Sequence, residues 1–339
     1  MKDFEKRTKD YQTNWRSVHL PQIIGNGKQN GISKPYILPN KNFRQSFFPE
    51  IVDSLFEEPE GYLKKYHVKP HTGIHNLMSS WVLCANMYWP FRNSEGFKLF
   101  ANFLKQVTGL DIHEITDMDL EYEDDVNDFK PGKLLGEDDG GMRGSGQTSP
   151  DLAIRFRTED GKNGIILIES KFSEHSFYSC SGYSKTKPGK PVNEKKERCL
   201  NPSLIVDSDF KECHLTTWDR KYWDLLGKEL DKVKFSSLKK CPMSSSCYQL
   251  FRQQALAKGL EKKYDISVSA VATDSRNEEL KNSSVRNGMK PFPEGWRELF
   301  PDLKLYWFTH NEWFTFVKQN NPGGRWDVWL KYILERYNY

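Results

Sequence analysis

Residues 149–172 read SPDLAIRFRTEDGKNGIILIESKF, and their alternation decides the fold. Leu152, Ile154 and Phe156 fall on one face, and Asp151, Ala153, Arg155 and Arg157 on the other, the period of a half-buried strand. Asp160-Gly161 and Asn163-Gly164 then supply turn chemistry, and an apolar run over 165–171 follows. The pattern predicts a β-hairpin. A turn centred near Gly161 pairs Asp151 with Lys171, to within two positions. Glu169 and Lys171 stand two apart on one strand, so both side chains point to one face. Asp151, Glu169 and Lys171 are therefore expected to converge at one end of the hairpin.

Two carboxylates and an ammonium at strand ends are costly, because opposed carboxylates drive one another toward protonation unless a cation stands between them. Hard oxygen ligands without Cys or His beside them suit Mg²⁺ or Mn²⁺. Such a metal can activate water and neutralise charge on a phosphodiester. Glu121 and Glu123, on or beside an expected strand over 118–122, are candidates for a further acid. Alternation predicts Glu121 on a different face from Leu120 and Tyr122.

Pro150-Asp151 followed by Glu169-Ser170-Lys171 resembles the active-site signature of the PD-(D/E)xK nuclease superfamily, the fold of type II restriction endonucleases. The resemblance implies an α/β (α+β) core with a central mixed sheet flanked by helices. It implies Asp151, Glu169 and the Ser170 backbone carbonyl as ligands of Mg²⁺ (or Mn²⁺), with Lys171 catalytic. MSSWVLCANMYWPF (78–91) looks like the N-terminal helix of restriction-endonuclease-like bacterial proteins of unknown specificity. CYQLFRQQALAKGL (247–260) looks like the helix after their catalytic strands and, more distantly, that of RecB-like nucleases, where a Gln at the position of Gln249 sits near the catalytic Lys. Gln253 stands where the stricter RecB-type motif has Tyr. The implied activity is Mg-dependent endonucleolytic hydrolysis of double-stranded DNA, by a fold that often works as a homodimer. The alternatives are a non-catalytic DNA-binding module on the same fold and a RecB-like exonuclease with a Cys-bound metal.

Composition agrees with a large soluble core. The 339 residues include 46 aromatics and 37% hydrophobic residues, which excludes a wholly disordered chain. No apolar run reaches the roughly 18 residues of a membrane span. The first fifteen residues lack an apolar signal segment, and six cysteines in so long a chain fit a reducing compartment, so a cytoplasmic protein is expected. The net charge of +4 is uneven: residues 111–139 hold twelve Asp/Glu and two Lys. That acidic island fits a cation pocket within a polyanion-binding surface, or a solvated loop. No Walker, Gly-x-Ser-x-Gly, HExxH or dinucleotide fingerprint is present.

The expected organisation is a basic N-terminal extension over 1–74, irregular in structure, and a nuclease domain over 75–339 with a polar, Cys-rich insertion at about 173–246. Periodicity predicts helices over 75–89, 97–108 and 248–260 and strands over 266–272 and 303–308. A terminal helix is expected to bury Trp326, Trp329, Leu330, Ile333, Leu334 and Tyr337. In the insertion, Cys180, Cys199, Cys213 and Cys241 are candidate ligands for Zn²⁺ or an iron–sulfur cluster, with His175 and His214 as further candidates, or are simply buried thiols. Lys185, Lys187, Lys190, Lys195, Lys196 and Arg198, near Tyr178 and Tyr183, form either a phosphate-backbone grip or a solvated loop.

Overall fold

The hairpin forms the middle of a five-stranded sheet in the computed structural model, which describes residues 3–57, 61–138, 140–184 and 189–339. In chain order the main elements are α1 (Asp3–His19), α2 (Ser80–Tyr88), α3 (Ser94–Thr108), β1 (Glu114–Leu120), β2 (Leu152–Arg157), β3 (Asn163–Lys171), α4 (Tyr248–Leu260), β4 (Ile266–Thr273), β5 (Leu305–Thr309), α5 (His310–Gln319) and α6 (Asp327–Tyr337). The sheet runs β1-β2-β3-β4-β5; β2 is antiparallel to both β1 and β3, and β4 and β5 continue parallel to β3. This is the mixed α/β sheet the sequence predicts.

Both faces of the sheet are covered, so its central strands are apolar on both sides. Leu152, Ile154, Ile166, Ile168, Val268 and Ala270 join one core with α2, α3, α5 and α6. Ala153, Ile165, Leu167 and Val271 join a second core with α4 and the insertion. The insertion folds as a chain of short helices, among them Pro202–Asp207, Tyr222–Leu226 and Lys232–Ser236, which bury Trp218, Trp223 and Phe235.

Several expectations are corrected. The hairpin turn is centred one residue earlier: the Thr158 N–H donates to Lys162 O (3.0 Å), and Leu152 pairs with Ile168. Asp151 is thus level with Glu169, two positions from Lys171 and within the expected tolerance. A slip of two leaves every side chain on its expected face. The N-terminal extension is not irregular throughout, because α1 packs on α6. There Gln12 Nε2 donates to Arg336 O (2.9 Å) and Tyr11 Oη to Glu335 O (2.7 Å). In α6, Leu334 is exposed and Arg336 is buried instead, its guanidinium 4.2 Å from the Trp15 ring centroid.

The acidic island divides: Asp111, Glu114, Asp125 and Asp128 are exposed, while other acids are paired. Asp117 pairs with Arg92 (3.1 Å), Asp119 with Arg155 and Arg143, Asp124 with Lys263 (2.6 Å) and Glu137 with Arg252 (2.9 Å). Lys185 and Lys187 of the expected basic cluster lie outside the described residues, and Arg198 is paired with Glu212 at 2.6 Å. Among the described residues no helix is long and apolar enough to cross a membrane.

Candidate active site

The site grows from the place where apolar alternation on β3 gives way to charge. Ile165 and Leu167 point into the second core, and Glu169 and Lys171 continue the same face. Both are buried, and Lys171 Nζ donates to Glu169 Oε1 at 2.7 Å. Asp151, one residue before β2, reaches the next strand and accepts the Ser170 N–H at Oδ2 (2.8 Å). The three expected residues thus meet on one strand end. The Ser170 side chain points the other way, toward Ser80 O (3.3 Å) and His310 Nε2 (3.4 Å).

Glu121 joins them by a route that alternation does not foresee. It follows β1 with φ +54°, and its N–H donates to Asp151 O (3.1 Å). The left-handed residue breaks the period of two: Leu120 enters one core and Tyr122 the other, while the Glu121 carboxylate turns inward. Gly144 (φ +77°) passes so close that a Cβ there would lie 2.8 Å from Glu121 Oε2. Glu123 is excluded from the cluster; its Oε1 accepts from Gln147 Nε2 at 2.9 Å.

The cluster carries three carboxylates against one ammonium. Burial, reinforced by Glu169, pushes the Glu121 carboxyl up to about 7, although Ser149, Trp81 and Arg143 ease it. Burial and the Glu169 charge likewise push Asp151 well above the usual carboxylate range, against the pull of Lys171. Burial works against the Lys171 ammonium, but Glu169, Glu174 and Asp151 together hold it above its ordinary value. Lys171 stays charged, and the carboxyls around it outnumber it three to one.

An open groove of about 560 Å³ leads to the cluster. Its walls include Asp151, Glu169, Lys171 and Gln249, with Lys9 and Lys28 from the N-terminal segment. Gln249 is in the first turn of α4, and its Oε1 is buried without a hydrogen-bond partner among the described residues. Gln253, by contrast, is structural: its Nε2 donates to Leu167 O (2.7 Å) and Ala270 O (3.0 Å), tying the two central strands together. Tyr178 places its ring 5.6 Å from Lys171 Nζ. His175 lines this groove, away from the cysteines with which the sequence grouped it.

Sequence reasoning missed His71, Glu174 and His310. His71 and Glu174 line the groove, and burial lowers the His71 pKa. His310 is fully buried behind Ser170, and burial pushes its imidazole down to about 4, so it is neutral at ordinary pH; its Nδ1 meets Tyr88 Oη at 2.9 Å. No local motif marks these residues, because each comes from a segment outside the hairpin.

A mixed sheet between helix layers, with acids and a lysine at a hairpin end, defines a restriction-endonuclease-like α/β protein. Residues 9–338 match the family REase-ARP, described as restriction endonuclease associating with ARP, and the chain belongs to that family. Comparisons with curated proteins and with solved structures returned no match.

Proposed function

We propose that this protein is a Mg²⁺- or Mn²⁺-dependent endonuclease that hydrolyses DNA with a PD-(D/E)xK site. The observation that carries this reading is the buried surplus of carboxylates, Glu121, Asp151 and Glu169 around Lys171, at the end of an open groove. Two of those carboxyls are pushed toward protonation as they stand, which is what a bound cation would reverse. Among the described residues no three His, Cys, Asp or Glu side chains form a ready ion cage. Mg²⁺ does not require one, since it typically takes one or two carboxylates with waters and phosphate oxygens. The residues therefore fit the cation.

Asp151 and Glu169, with the Ser170 carbonyl, would hold it, and Glu121 is the nearest further acid. When bound, such a cation lowers the pKa of a water and neutralises phosphodiester charge. Lys171, kept protonated by its carboxylate neighbours, donates hydrogen bonds to the attacking oxygen and to the charge that builds on phosphorus oxygens. Gln249 offers its Oε1, which has no hydrogen-bond partner among the described residues, to orient that water or the lysine. Lys9 and Lys28 on the groove wall would neutralise flanking phosphates. The family description adds ARP as an associating partner, which we take as part of the working assembly.

Supercoiled plasmid incubated with wild type or Lys171→Ala in Mg²⁺, Mn²⁺ or chelator, with and without the partner, tests the proposal. Metal-dependent nicking or linearisation by wild type alone is expected. Equal cutting by the variant, or none by wild type under every condition, would overturn it.

A further inference from the structure

Four cysteines from the insertion, far apart in sequence, line one small cavity of about 20 Å³. They are Cys180, Cys199, Cys213 and Cys241, enclosed by apolar side chains such as Ile205, Trp223 and Phe251. Each sulfur stands within electrostatic reach of the other three. Three of the four open the same local turn. The carbonyls of Cys180, Cys213 and Cys241 accept the amide three residues on, from Tyr183 (3.1 Å), Thr216 (2.9 Å) and Ser244 (3.0 Å). The amide two residues on, from Gly182, Leu215 and Met243, faces the cysteine sulfur itself. Burial raises the pKa of all four thiols, and at Cys180, Cys213 and Cys241 these amides oppose that rise. Among the described residues the cavity lining holds no Lys or Arg, although Arg198 lies within electrostatic reach of Cys199 and Cys213.

We propose that Cys180, Cys199, Cys213 and Cys241 bind a structural metal centre as four thiolates. Zinc and iron–sulfur clusters share this chemistry, and each thiol gives up its proton on binding. Among the described residues the sulfurs do not converge as a bound ion's ligands would, and a metal centre of either kind would draw them in around the gap. His214 lines the cavity, but its Nε2 meets Pro191 O at 2.9 Å, leaving the cysteines as the ligand set. The centre would tie together two segments that border the groove. Cys180 follows Tyr178, whose ring packs on Lys171, and Cys241 precedes α4, which carries Gln249.

The full chain, purified without oxygen, is assayed for zinc, iron and acid-labile sulfide. The expected result is about one zinc or about four irons per chain. Visible absorption that bleaches on reduction identifies the iron–sulfur form, and its absence with stoichiometric zinc identifies the other. Cys213→Ser and Cys241→Ser should lose the metal, whereas Cys247→Ser, buried but outside the cavity, should keep it. A folded wild-type chain free of both metals, or cavity variants that retain the wild-type metal content, would overturn the proposal.

Discussion

Two sets of buried carboxylates lie side by side in this protein, and cations match only one of them. Asp119 is held by Arg155, Arg143 and the Tyr62 hydroxyl (2.9 Å), and Glu137 by Arg252, Tyr222 and Thr148. Two residues beyond Asp119, Glu121 enters a cluster in which three carboxylates share one lysine. Balanced charge of the first kind organises the fold around β1. Unbalanced charge of the second kind costs stability, and in the proposed function a divalent cation offsets that cost.

The largest difference between the two sets should appear in activity. Lys171→Ala, assayed for plasmid cleavage in Mg²⁺, is expected to lose about a thousandfold, or ~4 kcal/mol of barrier, while remaining folded. Asp119→Asn should do the reverse. Leaving Arg155 and Arg143 without their partner should remove about 3 kcal/mol of stability by denaturant unfolding, with cleavage lost only as far as the folded fraction falls.

A smaller, opposite effect is expected at Glu121. Its carboxyl is raised from 4.5 to about 7, so in chelator its contribution is fully present below pH 4.5 and is lost as pH rises through about 7. Glu121→Gln should therefore stabilise the cation-free protein at pH 8 by something of the order of 2 kcal/mol and leave little difference at pH 4. A thermal-unfolding series of both proteins against pH checks the sign, and Mg²⁺ should narrow the gap at pH 8. Asp160→Asn, which breaks an exposed pair with Lys162 on the hairpin turn, is expected to leave the unfolding midpoint unmoved.

How far the sequence could be read follows from the same physics. The hairpin was legible because alternation and turn residues are local, and an even slip in register preserves faces. That is why Asp151, Glu169 and Lys171 meet despite the displaced turn. Glu121 could be nominated but not aimed, since its left-handed backbone breaks the alternation on which its face was predicted. Helix α1 is hard to read from sequence because its buried residues, Phe4, Thr8, Gln12, Trp15 and Arg16, are mostly polar. Arg336 took the place expected of Leu334 because α1 brings Trp15 over it. In the insertion, order comes from contacts between distant short turns, which no periodicity records.

Calorimetric titration of Mn²⁺ into wild type, Glu169→Gln and Asp119→Asn tests the difference between the two sets most directly. The account predicts binding by wild type and Asp119→Asn and its loss in Glu169→Gln. Undiminished binding by Glu169→Gln, or no binding by the wild-type protein, would contradict it.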